Sequence, residues 1–190
     1  MPEVAYPRLH KAVRWACKLH KDQDRDGEGA LPYITHVMEV VSNLRYVGGI
    51  VDEDLLIVAA LHDVIEQTGL APEKIEKKFG RRVRMLVVEL TREEPSAERT
   101  HGMRADKIWL MRSNILLGEI GRMSPAAQKV KLADRLSNIR NARATKIDGK
   151  LQRTIKQTEE ILRLIPRRRN PGLWNAIRAE LDAEQIYSAR

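Results

Sequence analysis

Leu55-Leu56-Ile57-Val58-Ala59-Ala60-Leu61-His62-Asp63-Val64-Ile65-Glu66-Gln67 is the stretch on which this sequence turns. Seven apolar residues run without a break into an imidazole and a carboxylate on adjacent positions, and a Glu follows three residues after the Asp. So apolar a run belongs inside a fold. At helical spacing Leu55, Ala59 and His62 share a face, and Asp63, four residues after Ala59, lies beside it. Polar groups taken into a core are unfavourable unless they are hydrogen-bonded, ion-paired or bound to a metal. The rest of the chain must supply partners for His62 and Asp63.

The 190 residues are enough for one domain with a substantial core. Charged residues make up 32% and hydrophobic ones 43%, a balance that suits a soluble globular protein. Aromatics are only 4%, and β-branched residues do not alternate with polar ones over any long run, which favours helices. The formal net charge of +8 and a pI of about 9.8 admit nucleic acid, an anionic membrane surface or phosphorylated small molecules as partners. The sequence carries no basic patch interleaved with aromatics and no nucleic-acid motif, so a phosphorylated small molecule is expected and nucleic acid is not. Cys17 is the single cysteine, which excludes an intrachain disulfide and a cysteine-based zinc cluster; its place in an amphipathic helix predicts a small core residue. Residues Met1 to Pro7 lack the apolar core of a signal peptide, and no stretch approaches the roughly 18 apolar residues of a membrane span. The expected compartment is the cytoplasm.

Working outward from the central stretch, Asp52-Glu53-Asp54 suits a helix N-terminus, by capping and by complementing the dipole. Upstream, Leu9, Val13, Ala16, Cys17 and Leu19 or His20 make a helical stripe, and Lys21 to Gly29 reads as a polar, glycine-punctuated loop. Pro32-Tyr33 opens a helix with Ile34, Val37, Met38, Val41 and Leu44 on its apolar face, His36 in its first turn and Gly48-Gly49 at its end. Downstream, Thr68-Gly69 ends the central helix, Pro72 starts a short one that reaches Phe79-Gly80, and Val83, Leu86, Val87 and Leu90 mark the next. Residues 92–102 are polar and aperiodic, the expected mobile loop; a helix through Ile108, Met111 and Ile115 follows. Ser124-Pro125 combines a capping hydroxyl with a first-turn proline, opening a helix through Val130, Ala133, Leu136 and Ile139. Asp134 lies in that helix beside Leu132 and Ala133, with Asn138 one turn on. Leu151, Ile155, Thr158, Leu162 and Ile165 form a further stripe that Pro166 ends, and Trp174, Ile177 and Leu181 form the last. The expectation is a single all-α domain over residues 1–190, of about eight to ten helices.

His36, His62, Asp63 and Asp134 thus each lie at or beside a helical core face. Two imidazoles and two carboxylates suit Mn²⁺, Fe²⁺, Zn²⁺ or Mg²⁺, with Mn²⁺ well matched in hardness. Such an ion with open positions lowers the pKa of bound water and polarises a phosphoryl oxygen. Glu66, one turn past the His-Asp pair, is placed to accept a proton from water, although alone it would suit an exposed residue at a helix end.

These residues resemble the pattern of the HD-domain metal-dependent phosphohydrolases, and more closely the small stand-alone (p)ppGpp hydrolases of the RelA/SpoT homologue group. The resemblance is carried by His20-Lys21-Asp22-Gln23, Pro32 to His36, Ala59 to Glu66, Phe79-Gly80 and Val130 to Arg140, covering roughly residues 10–145 and leaving the helices of 150–190 outside it. It implies an HD-type helical bundle in which His36, His62, Asp63 and Asp134 bind one Mn²⁺ and Glu66 helps activate the attacking water. It further implies that Arg25 packs on the guanine base, that Asn138 contacts the nucleotide, and that pyrophosphate leaves the ribose 3′ position to give GDP or GTP. One departure stands out: the family pattern after His-Asp ends in Glu-Asp, and this chain has Glu66-Gln67. Gln67 cannot take a proton, which leaves open another nucleotide substrate, such as NADPH or a dNTP, or a sensor that binds metal and nucleotide without turnover. Which of Arg104, Lys107, Arg135 and Arg140 reach phosphate, and the oligomeric state, are not fixed by sequence.

Overall fold

The computed structural model describes residues 6–25, 31–145 and 149–187, the last four of these by backbone alone. The helical stripes become α1 (Pro7–Leu19), α2 (Ile34–Ser42), α3 (Glu53–Leu61), α4 (Val64–Thr68), α5 (Pro72–Phe79) and α6 (Arg81–Leu90). They continue as α7 (Ala97–Thr100), α8 (Ala105–Arg122), α9 (Pro125–Thr145), α10 (Gly149–Leu164) and α11 (Pro171–Tyr187). A π-helical turn, Asn43–Val47, extends α2, and a 3-10 turn, Arg167–Arg169, precedes α11. Among the described residues there is no strand, only an isolated bridge between Asp24 and Pro32. The all-α expectation holds. Met1 to Ala5 and the Asp26 to Gly29 part of the polar loop lie outside the described residues.

The Asp52 carboxylate caps α3, accepting from the amides of Asp54 and Leu55 at 3.0 and 3.4 Å. From Leu55 to Leu61 every side chain is buried, so α3 has no solvent face; it packs against α1, α2, α6 and α9 at the centre of the molecule. The expected continuous helix to Gln67 is interrupted. α3 stops at Leu61, His62 and Asp63 form a turn, and α4 begins at Val64. On an unbroken helix adjacent side chains diverge by about 100°. The turn, with Asp63 at φ −105° and ψ −2°, brings the His62 and Asp63 side chains to one side. Gly69, at φ +65°, closes α4 in the left-handed conformation that favours glycine.

α6 buries the predicted face, Val83, Leu86, Val87 and Leu90, and α5 buries Ile75 and Phe79. Three expectations need correction. Cys17 is exposed: the inward face of α1 runs through Ala12 and Ala16, and Cys17 is rotated off it. On α2 the buried set is His36, Val37, Val40 and Val41, which leaves Met38 45% exposed. On α8 the buried line is Ser113, Leu116 and Ile120 rather than Ile108, Met111 and Ile115. Residues 92–102 hold the one-turn α7 and are tied down by Arg92 to Glu66 (2.9 Å) and Glu94 to Arg112 (2.8 Å).

α9 is the second buried axis. Ser124 starts it, its hydroxyl accepting from the Ala127 amide at 3.3 Å and donating to Glu89 at 2.9 Å. Val130, Ala133, Leu136 and Ile139 are buried as expected, and so are Lys131, Asp134, Arg135 and Ser137. α11 covers α9 through Leu173, Ile177 and Leu181, and its start is fixed by Asn170, which donates to the Gly48 carbonyl at 2.8 Å and accepts from the Leu173 amide at 3.0 Å. A Cβ on Gly172 would lie 2.2 Å from the Val47 carbonyl oxygen, so this contact demands glycine. No described helix is long and apolar enough to cross a membrane.

Candidate metal centre and its cavity

α2, the turn after α3, and α9 bring together the four side chains that the sequence separates by about a hundred residues. The donor atoms of His36, His62 and Asp134 all lie within 4.8 Å of one another. His36 Nε2 is 3.3 Å from His62 Nε2 and 3.4 Å from Asp134 Oδ1. Asp63 Oδ2 closes the group at 3.0 Å from His62 Nε2 and 3.6 Å from His36 Nε2. Both imidazoles are almost fully buried, at 3% and 1% exposure.

The donors are oriented from behind. His62 Nδ1–H donates to the Ala59 carbonyl at 2.8 Å, one turn back on α3, which leaves Nε2 as the lone-pair nitrogen facing the group. His36 Nδ1 donates to Ser137 Oγ at 2.9 Å, and the Ser137 hydroxyl donates to Glu39 at 2.5 Å. Tyr33 donates its hydroxyl to Asp63 Oδ2. Lys131 Nζ holds Asp134 Oδ2 at 3.0 Å, and Asn138 donates to Asp134 Oδ1.

Charge follows geometry. Burial pushes His36 down, but the Asp134 and Asp63 carboxylates prevail and hold it up, at about 9. Against burial, Lys131 and the two imidazoles keep Asp134 far below the usual carboxylate range, and His62 with His36 does the same for Asp63. Two neutral-capable nitrogens and two carboxylates kept ionised are a donor set that fits a divalent cation.

The group opens on a cavity of about 610 Å³ whose wall includes Arg25, Glu66, Gln67, Arg92, Lys131 and Arg135. Glu66 is engaged by Arg92 through a 2.9 Å ion pair; burial raises its carboxyl, while Arg92 opposes that rise. Gln67 is exposed and accepts from Gln23 through its carbonyl at 2.9 Å. Arg135 is buried, its guanidinium donates to Gln157 at 2.9 Å, and its Nε has no hydrogen-bond partner among the described residues.

A profile of the HD domain matches residues 12–169, beyond the expected core of 10–145. The chain belongs to the HD-domain family. The guanosine-3′,5′-bis(diphosphate) 3′-pyrophosphohydrolase of Xenopus tropicalis is 31% identical over 147 residues, spanning 77% of this chain and 76% of that protein. The enzyme of the same name from Homo sapiens is 33% identical over 134 residues, spanning 70% and 69%. Among solved structures, a metazoan SpoT orthologue that hydrolyses ppGpp superposes with a TM-score of 0.83 over 96% of this chain and 98% of its own, at 24% identity; it establishes the fold.

Within this HD-domain chain the six residues expected around the metal and the water meet at one site, and the two expected to hold nucleotide, Arg25 and Asn138, line the same cavity while bonded within the protein. Arg25 lines the cavity, but its side chain is 8% exposed and pairs with Glu39 at 3.0 Å and Ser137 at 3.4 Å, so it also supports the His36 relay. Asn138 lines the cavity while bonded to Asp134. Of the four cations considered for phosphate, Arg135 lines the cavity, Arg140 pairs with Glu180 at 2.9 Å, and Arg104 and Lys107 are exposed outside it. Sequence reasoning missed Tyr33, Lys131, Ser137, Arg92 and Trp109 as parts of the site. Only Lys131 had left a signal, a cation set between Val130 and Leu132-Ala133 on a helix whose apolar line is buried.

Proposed function

We propose that this HD-domain chain is a metal-dependent 3′-pyrophosphohydrolase of guanosine 3′,5′-bis(diphosphate), with Mn²⁺ as the working ion. The observation that carries the proposal is the convergence of His36, His62, Asp63 and Asp134 on a cavity that also holds the buried, incompletely bonded Arg135. The names and lengths of the relatives support the same reading. Water adds to the phosphorus next to the ribose 3′ oxygen, that P–O bond breaks, and GDP and pyrophosphate leave; the pentaphosphate gives GTP.

In this reading His36, His62, Asp63 and Asp134 hold the cation, which supplies a Lewis acid and lowers the pKa of water near it. Glu66 takes the proton from the attacking water. Its half-buried, raised carboxyl is a stronger base than a surface glutamate, and Arg92 holds it in place. Arg135, Arg92 and Lys131 supply positive potential for the phosphates, Asn138 an amide to the nucleotide, and Arg25 its guanidinium to the base side of the cavity.

Incubating the purified protein with ppGpp and Mn²⁺ is expected to release pyrophosphate and GDP in equal amounts, with chelator abolishing release. Intact ppGpp alongside loss of phosphate from NADPH or a dNTP would move the substrate elsewhere. Nucleotide binding without turnover, restored by Gln67→Asp, would make the protein a sensor.

A further inference from the structure

α1 and α5 flank two hollows of about 310 and 610 Å³ that share Trp15 and Lys78. Six cations line them: Lys11, Arg14 and Lys18 from α1, and Lys74, Lys77 and Lys78 from α5. Between the two rows the floor is Trp15, Leu19, Leu70 and Phe79. The Trp15 and Phe79 rings are 5.8 Å apart, and Lys78 Nζ sits 5.2 Å from the Trp15 ring centre. No residue lines both this groove and the cavity of the candidate metal centre.

The charges are not neutralised. No carboxylate lines either hollow, and among the described residues none of the six cations forms an ion pair, although Arg8 and Arg82 nearby are each paired. Glu76 of α5 faces Arg84 instead, 3.9 Å away. Lys11, Trp15 and Lys18 recur at helical spacing on one face of α1, and α5, some sixty residues later, brings the second row against it. Like charges gathered without counter-charge raise the local potential and repel one another. An anion that sits between the rows relieves both effects.

We propose that this groove binds a nucleoside polyphosphate, its base over Trp15 and its phosphates among the six cations. Lysine-rich rows suit phosphate as point charges, and the partly exposed indole suits a base face. From Lys11 to Lys18 the α1 row spans about 10 Å at 1.5 Å per residue. A nucleic-acid strand is held by a groove that tracks its backbone over several nucleotides and would outrun these two helix rows. A bare phosphate chain would leave the aromatic floor without a partner. The proposal does not depend on the hydrolytic reaction.

The chain has three tryptophans, which makes the test direct. The full-length protein is labelled with 5-fluorotryptophan, its ¹⁹F signals are assigned with Trp15→Phe and Trp109→Phe, and GTP is titrated in. The Trp15 signal is expected to shift saturably, with a dissociation constant separate from that of Trp109, which lines the other cavity. The Lys74→Glu/Lys78→Glu pair is expected to weaken the Trp15 response about tenfold or more, and Lys11→Glu/Lys18→Glu to do the same from the other helix, so that either variant serves if one does not fold. A Trp15 signal unmoved by GTP, or moved as much in the charge-reversed variants as in the unmodified protein, overturns the proposal. So does equal affinity for inorganic triphosphate, or a response to an oligoribonucleotide in place of GTP.

Discussion

Ser137 shows how much of this site is set by residues that do not face the substrate. It accepts from His36, donates to Glu39 and is reached by Arg25, so one hydroxyl links the first candidate ligand to the Arg25–Glu39 ion pair. Removing it in Ser137→Ala leaves the ring of His36 unanchored, and the affinity for Mn²⁺, read by the loss of free-ion electron paramagnetic resonance signal, is expected to fall about 10–100-fold. Glu66 carries a prediction about pH. Burial raises its carboxyl and Arg92 lowers it, so losing the guanidinium favours the protonated form. A base must be deprotonated to act, so the acid limb of kcat/KM against pH should lie above the ordinary carboxylate range, and Arg92→Gln should displace it further upward. An unchanged limb would remove Glu66 as the base. None of these couplings was legible in the sequence: Ser137 and Arg92 carry no periodicity, and their partners lie 101 and 26 residues away.

At the scale of the element, α3 is governed by its beginning. Arg82 and the helix amides hold the Asp52 carboxyl below its usual range. Asp52→Ala should lower stability by about 1 kcal/mol in urea unfolding near neutral pH. Because the folded value is depressed, that contribution is present above the ordinary carboxylate range and is lost as pH falls through the lowered value. The two proteins should therefore converge in acid. α6 was readable to the residue, since one face of it meets a core and the other meets water. α3 and α9 were legible in part: Leu55 to Leu61 and the line Val130, Ala133, Leu136 and Ile139 are buried as expected, but helices buried on nearly all sides have no periodic contrast to reveal Lys131, Arg135 and Ser137, and the turn at His62 is imposed by what those side chains meet in space. Cys17 and Met38 were misplaced for a related reason: both are apolar next to a buried stripe, and only the packed neighbours decide which edge of the stripe goes inward.

For the whole molecule, the candidate ligands come from α2, the turn after α3, and α9, so an ion held by them joins segments that the unfolded chain keeps far apart. Mn²⁺ at about one hundred times its dissociation constant should add about 2.7 kcal/mol of stability. The increment should appear as a rise in Tm that chelator reverses, and it should be absent in Asp134→Ala. Translation meets this architecture in a telling order. The groups at 36, 62, 63 and 134 have all been synthesised before Gly172, the glycine whose missing side chain lets α11 lie against Val47. Until then α9 lacks the helix to which Arg140 and Arg143 are bonded. A nascent chain therefore owns every donor of the centre while the last support of α9 is still being made.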